Sequence, residues 1–132
     1  MSSPETPLGR SERIAPRVLI VEDNHDVATF MDCFFADAGY ETDIAHNGLE
    51  GLARMRRQRP SIVLLDLAMP VMDGFEFRRR QLEDPSLADV PVFCVTAHYN
   101  CHDVASSLGL RCFVKPLDPD QLEAEVAAIC GR

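Results

Sequence analysis

A chain of 132 residues with 46% hydrophobic and 26% charged content has the composition of one ordinary soluble globular domain and can bury a normal core. Its formal net charge of -8 argues against nucleic acid as a direct partner, since phosphate contacts require Lys and Arg. No apolar stretch approaches the roughly 20 residues that span a membrane.

Residues 1–16 are rich in Ser, Pro, Glu and Arg and lack an apolar core. They read as a disordered leader rather than a signal peptide, with the folded domain over residues 17–132. Val18-Leu19-Ile20-Val21 is a continuous apolar run and reads as a first strand, ending on Glu22-Asp23. Asn24-His25-Asp26 is good N-cap material. Val27, Phe30, Met31, Phe34, Phe35 and Ala38 recur at helical spacing until Gly39 stops the helix. Glu41 to Ala45 is a short strand, and Asn47-Gly48 a turn. Leu49, Leu52, Ala53 and Met55 mark a second helix, with Pro60 just past its end.

Ile62 to Leu65 reads as a third strand that ends abruptly on Asp66. Gly74 to Glu83 is a third helix carrying the basic run Arg78-Arg79-Arg80, read as a solvated face. Val92 to Val95 is a fourth strand ending on Thr96, and a short polar helix follows over about Asn100 to Leu108. Arg111 to Val114 is a fifth strand ending at Lys115-Pro116. Asp118, Pro119 and Gln121 announce the last helix as a capping box, and Leu122, Val126 and Ile129 form its apolar stripe.

Five strands alternating with five helices predict an α/β fold. Strands that are apolar throughout are buried on both faces, as in a parallel sheet. Right-handed crossovers then place helices on both sides, giving a doubly wound, flavodoxin-like architecture. In such a sheet every strand's carboxyl end lies along one edge, where an open α/β fold places its ligand crevice. Glu22, Asp23, Asp66, Thr96 and Lys115 therefore converge. Carboxylates so close repel and require a cation or a proton. All-oxygen ligands suit Mg²⁺, which is usually held by carboxylates together with phosphate oxygens. A metal that neutralises the acids lets Asp66 attack phosphorus, and Lys115 and the Thr96 hydroxyl suit the charge on a transferring phosphoryl group.

With these residues in view, the sequence resembles the receiver domain of two-component response regulators over about residues 16–131. The motifs that carry the likeness are Val18-Leu19-Ile20-Val21-Glu22-Asp23-Asn24, the Asp66-to-Gly74 segment with its Met-Pro and Met-Asp-Gly, Val95-Thr96-Ala97 and Lys115-Pro116. The resemblance implies Asp66 as phosphoacceptor, and Asp23 with Glu22 as the acidic pair holding Mg²⁺. It also implies the backbone carbonyl of Ala68 as a further ligand, Thr96 as the switch hydroxyl and Lys115 as its charged partner. A cis Lys115-Pro116 peptide is implied too. The phosphoryl donor would be a sensor histidine kinase or a phosphotransfer protein. The expected setting is cytoplasmic, and the domain would be a phosphoacceptor rather than a dedicated enzyme.

The sequence departs from the family in three places. Where the family usually has Tyr or Phe, three residues before the lysine, this chain has Cys112 followed by Phe113. Alternation puts these two on opposite faces of the strand, so the aromatic part of the switch is absent unless a one-residue bulge turns Phe113 inward. Thr96 and Lys115 are 19 positions apart, fewer than the family usually shows, which shortens the fourth helix or its loops. Arg78 stands where many relatives carry an apolar residue. Ala68 and His98 occupy positions that tune phosphoryl lifetime in the family.

The five cysteines include no CxxC pair or zinc-finger spacing, and several fall in apolar patterns as small hydrophobes. They fit a reducing, intracellular compartment. Cys101-His102 with His98 matches no standard metal-ligand spacing. The leading expectation is a complete single-domain switch whose output is contact with another protein. The alternative is a receiver-like binding module that signals without phosphorylation. A phosphatase of the haloacid-dehalogenase type would need an acid where Ala68 stands. A flavodoxin would need a hydroxyl- and glycine-rich phosphate loop in place of Glu22-Asp23-Asn24.

Overall fold

Three uninterrupted apolar runs form the centre of the molecule. They offer no polar side chain to solvent, so each needs cover on both faces. The structure, a computed structural model, describes residues 15–97 and 101–132, with backbone alone at Cys101, His102, Val104 and Ala105. The runs become β1 (Arg17–Val21), β3 (Ile62–Leu65) and β4 (Val92–Thr96). With β2 (Glu41–Ala45) and β5 (Arg111–Val114) they make one parallel sheet of order β2-β1-β3-β4-β5. The connecting helices are α1 (His25–Asp37), α2 (Gly48–Arg57), α3 (Gly74–Glu83), α4 (Cys101–Leu108) and α5 (Pro119–Cys130). This is the doubly wound arrangement expected, and its strand order reverses between β1 and β3, where a crevice opens at the carboxyl edge. Most of the expected leader, residues 1–14, lies outside the described residues, as does His98.

Alternation along β1 sends Leu19 and Val21 into one core layer and Val18 and Ile20 into the other. The first layer is closed by Leu52 and Met55 of α2 and Phe77 of α3. The second is closed by Ala28, Met31 and Phe35 of α1 and Leu122 and Val126 of α5. The outer strands carry charges instead: Asp43 on β2 pairs with Arg54 at 2.8 Å, and Arg111 on β5 pairs with Glu125. Side chains cap four helices: Asn24 on α1, Asn47 on α2, Asp73 on α3 and Asp118 on α5. The cap at Asp118 closes on the Asp120 amide, one residue before the Gln121 of the expected capping box.

Five residues read from periodicity as core are exposed: Ala38 and Ala53, which are small, and three large side chains. Phe30 is 54% exposed, Leu49 52% and Ile129 48%. In α2 the buried face is Gly48, Gly51, Leu52 and Met55, with glycine where the neighbouring side chains leave no room for a Cβ. A Cβ at Gly51 would meet the Phe77 ring at 3.0 Å and Val21 at 3.1 Å.

The loop after β3 holds one strained residue. Val71 has φ of 69°, a left-handed conformation that crowds any Cβ and most of all a branched one. It is 80% exposed, so its side chain contributes little burial. Val71→Gly is expected to raise stability by about 0.5–1 kcal/mol, the relief of strain outweighing the entropy lost with glycine. Urea denaturation checks this: a lower midpoint for the glycine variant would show that Val71 makes contacts that outweigh its strain.

Candidate functional site

The carboxyl edge of the sheet collects the polar groups that end its strands. The chain leaves β1 at Glu22 and Asp23, and the Asp66 amide donates to the Val21 carbonyl at 3.0 Å, setting the two strand ends side by side. One oxygen from each of Glu22, Asp23 and Asp66 falls within 4.8 Å of the others. Glu22 and Asp66 are buried, and Asp23 is half-buried. From the other side the Lys115 ammonium donates to Glu22 Oε1 at 2.5 Å and reaches Asp66 Oδ2 at 3.5 Å. Thr96, 1% exposed, ends β4 in the same row, and its carbonyl accepts the Lys115 amide at 2.8 Å. The Lys115-Pro116 peptide is cis.

The turn after Asp66 is held tightly. The Ala68 amide donates to Asp66 Oδ1 at 3.2 Å, and Gly74 donates to the Leu67 carbonyl at 3.0 Å. A Cβ at Gly74 would press on Leu67 Cα at 2.8 Å and on the Asp66 carbonyl at 3.0 Å. Only glycine lets α3 begin this close beneath the acid.

The electrostatics follow from burial. Desolvation pushes the Glu22 carboxyl up to about 7, the Asp66 charge adds to the rise, and the Lys115 bond pulls against it. Burial alone would lower the Lys115 ammonium, but its bonds and charges shared with Glu22 and Asp66 outweigh that and hold it above its ordinary value. In the same region burial pushes the Cys94 thiol up to about 12, with the Asp66 charge in support, which leaves it a protonated, inert neighbour at neutral pH.

The structure thus brings together Glu22, Asp23, Asp66, Thr96 and Lys115, and Ala68 flanks them in the turn. The bulge that would turn Phe113 inward is not present: β5 pairs with β4 in continuous register from Arg111 to Val114. Cys112 packs with Leu67 and Cys94 on one face, and Phe113 lies against Phe93 in the opposite layer, ring centroids 5.3 Å apart. Sequence reasoning did not single out an apolar groove of about 550 Å³ beside Lys115, walled by Val27, Phe30, Met31, Pro116 and Leu117. The exposed Phe30 is one of its walls, and only the fold puts α1 next to the loop after β5.

A switch-point crevice lined by three carboxylates and an ammonium, with Thr96 at the next strand end, defines a class of flavodoxin-like domains built to hold a cation beside an acid. The chain belongs to the response regulator receiver domain family, whose model matches residues 18–127. It is 32% identical over 119 residues to the uncharacterized transcriptional regulatory protein YclJ of Bacillus subtilis, covering 88% of this chain and 51% of that protein. It is 31% identical to response regulator Rre1 of Synechocystis, covering 87% of this chain and 52% of that protein. The chain spans about half the length of the curated relatives it matches. Among solved structures it resembles chemotaxis protein CheY4 of Vibrio cholerae, with a TM-score of 0.79 and 27% identity over 87% of this chain and 98% of that one. A putative response regulator from Chloroflexus aurantiacus gives a TM-score of 0.82 and 26% identity over 89% of this chain and 99% of that one. Receiver domains belong to two-component signalling, and no helix among the described residues is long and apolar enough to cross a membrane.

Proposed function

We propose that this domain is a phosphoryl-accepting switch in which Asp66 takes the group from a phosphohistidine of a sensor kinase or phosphotransfer protein. The observation that carries the reading is the triad of acid oxygens within 4.8 Å, with Lys115 leaning into it. Such a hard, all-oxygen pocket fits Mg²⁺, held by Asp23, Asp66 and the Ala68 carbonyl, with Glu22 bound directly or through water. Bound there, the metal would neutralise the acids and the incoming phosphoryl oxygens.

The remaining work falls to the chain. An Asp66 carboxylate oxygen attacks phosphorus in line with the donor nitrogen. The new O–P bond forms as the N–P bond breaks, and the bonding pair stays on the departing imidazole. Lys115 moves from Glu22 toward the transferred group and balances its charge, and the Thr96 hydroxyl donates to one of its oxygens. The apolar groove between α1 and Pro116 gives the donor an apolar seat beside the acid. The output is contact with another protein, in a cytoplasmic setting, with no more catalysis than self-phosphorylation and self-dephosphorylation.

The test is phosphoramidate or acetyl phosphate with intact-mass detection. With Mg²⁺ the protein is expected to gain one phosphoryl group, and with excess chelator none. A folded protein that gains nothing from either donor at any Mg²⁺ concentration would overturn this reading in favour of a module that binds without phosphorylation.

A further inference from the structure

We propose that Arg78 of α3 is a latch for α4, a positioning residue that sets how often the last turn of α4 leaves the body of the domain. A helix ends in carbonyls without intrahelical donors and with negative partial charge, which a left-handed glycine closes in part and a nearby cation stabilises further. α4 has the glycine, Gly109 at φ 68°, whose amide donates to the Ser106 carbonyl at 3.2 Å. α4 carries no basic residue in its own last turn. The cation arrives from another helix instead: Arg78 Nε donates to the Leu108 carbonyl, the last residue of α4, at 3.2 Å.

The guanidinium is held ready for this. Its Nη1 donates to Gln81 Oε1 at 2.8 Å. Gln81 is fully buried, and its own amide nitrogen donates to the Leu87 and Val90 carbonyls, both at 3.0 Å. One arm of Arg78 is therefore anchored to the loop before β4 while the other grips α4. Preorganisation of this kind keeps most of the bond's strength, because little rotamer freedom remains to be lost.

The apolar hold on the same turn is partial. Leu108 and Leu110 are half-buried and pack on a small cluster of Leu67, Cys94 and Cys112, and Leu110 packs on the first core layer as well. Leu67 follows Asp66 directly, so the seat of α4 is continuous with the loop that carries the acid. Arg78 adds to this hold a charged contact placed on the last carbonyl of the helix. The latch needs no phosphoryl group on Asp66.

Amide hydrogen exchange, followed without any phosphoryl donor, tests it. Arg78→Met keeps the apolar stem but removes the guanidinium. Exchange over Ser106–Leu110 is expected to rise about tenfold in that variant, with β1 and β3 unchanged. Arg78→Lys keeps the charge without the fork to Gln81 and is expected to fall between. Unchanged exchange over Ser106–Leu110 in Arg78→Met would overturn the latch. So would an equal rise across β1 and β3, which would make Arg78 an ordinary contributor to global stability.

Discussion

Asp66→Asn is expected to take up no phosphoryl group under conditions in which the wild type gains one, and to be no less stable without Mg²⁺. The two effects have one origin. Asparagine offers no anionic oxygen to attack phosphorus, so the acceptor chemistry ends. It also removes a charge from a pocket where Glu22, Asp23 and Asp66 lie within 4.8 Å. Its amide oxygen can still accept from the Ala68 amide as Asp66 does at 3.2 Å, and Lys115 keeps its nearer partner, Glu22, at 2.5 Å. Relief of repulsion is expected to contribute about 1 kcal/mol in the metal-free protein. Intact mass and urea denaturation measure the two halves. A variant that still gained a phosphoryl group would move the acceptor elsewhere. One that left partner binding and its regulation untouched would remove the switch reading altogether.

Phe77→Ala is expected to cost about 3–5 kcal/mol, the usual range for deleting a buried phenyl ring. Domains of this size hold about 5–15 kcal/mol in all, so this one change consumes a large share. Phe77 is fully buried, packed among Leu52, Met55, Met72 and Leu87, and its ring lies against the face of α2 that glycine opens. Its neighbours are strand and helix side chains fixed by the sheet, so the void has little room to close. Phe30→Ala offers the internal contrast. That ring is half in solvent, and its loss should shift stability by less than about 1 kcal/mol. Urea midpoints in the reverse order would contradict the layer assignment.

The strand and helix pattern was legible wherever the sequence was punctuated. Ile62–Leu65, Gly74–Glu83 and Arg111–Val114 stand at their expected bounds, because each is closed by Asp, Gly or Pro. The opposite-face placement of Cys112 and Phe113 was legible from alternation, since no bulge interrupts β5. The convergence of Glu22, Asp66, Thr96 and Lys115 was legible because a parallel sheet puts strand ends on one edge. Helix faces were less so. Periodicity counts apolar residues, and it therefore took Leu49 as core and passed over Gly51, which is buried because it is small. Gln81 escaped for a related reason, and Arg78, read with Arg79 and Arg80 as a solvated face, is half-buried for the same one. A polar residue in the interior is chosen by carbonyls that a distant loop or helix leaves open, and these appear only after folding. The preference of Lys115 for Glu22 over Asp66 is likewise a matter of side-chain geometry.

The charged outer strands bear on how the molecule behaves in a crowded solution. An open sheet has two bare margins, and a neighbouring chain can extend it by adding a strand. Here a newcomer beside β2 would approach Asp43 and Arg54, and one beside β5 would approach Arg111 and Glu125. Docking there would mean stripping water and partners from ionised groups, offset on β5 by the exposed Val114. The margins thus resist fibre-like growth, and Asp43 and Arg111 are the positions where neutral, β-branched replacements would first invite aggregation.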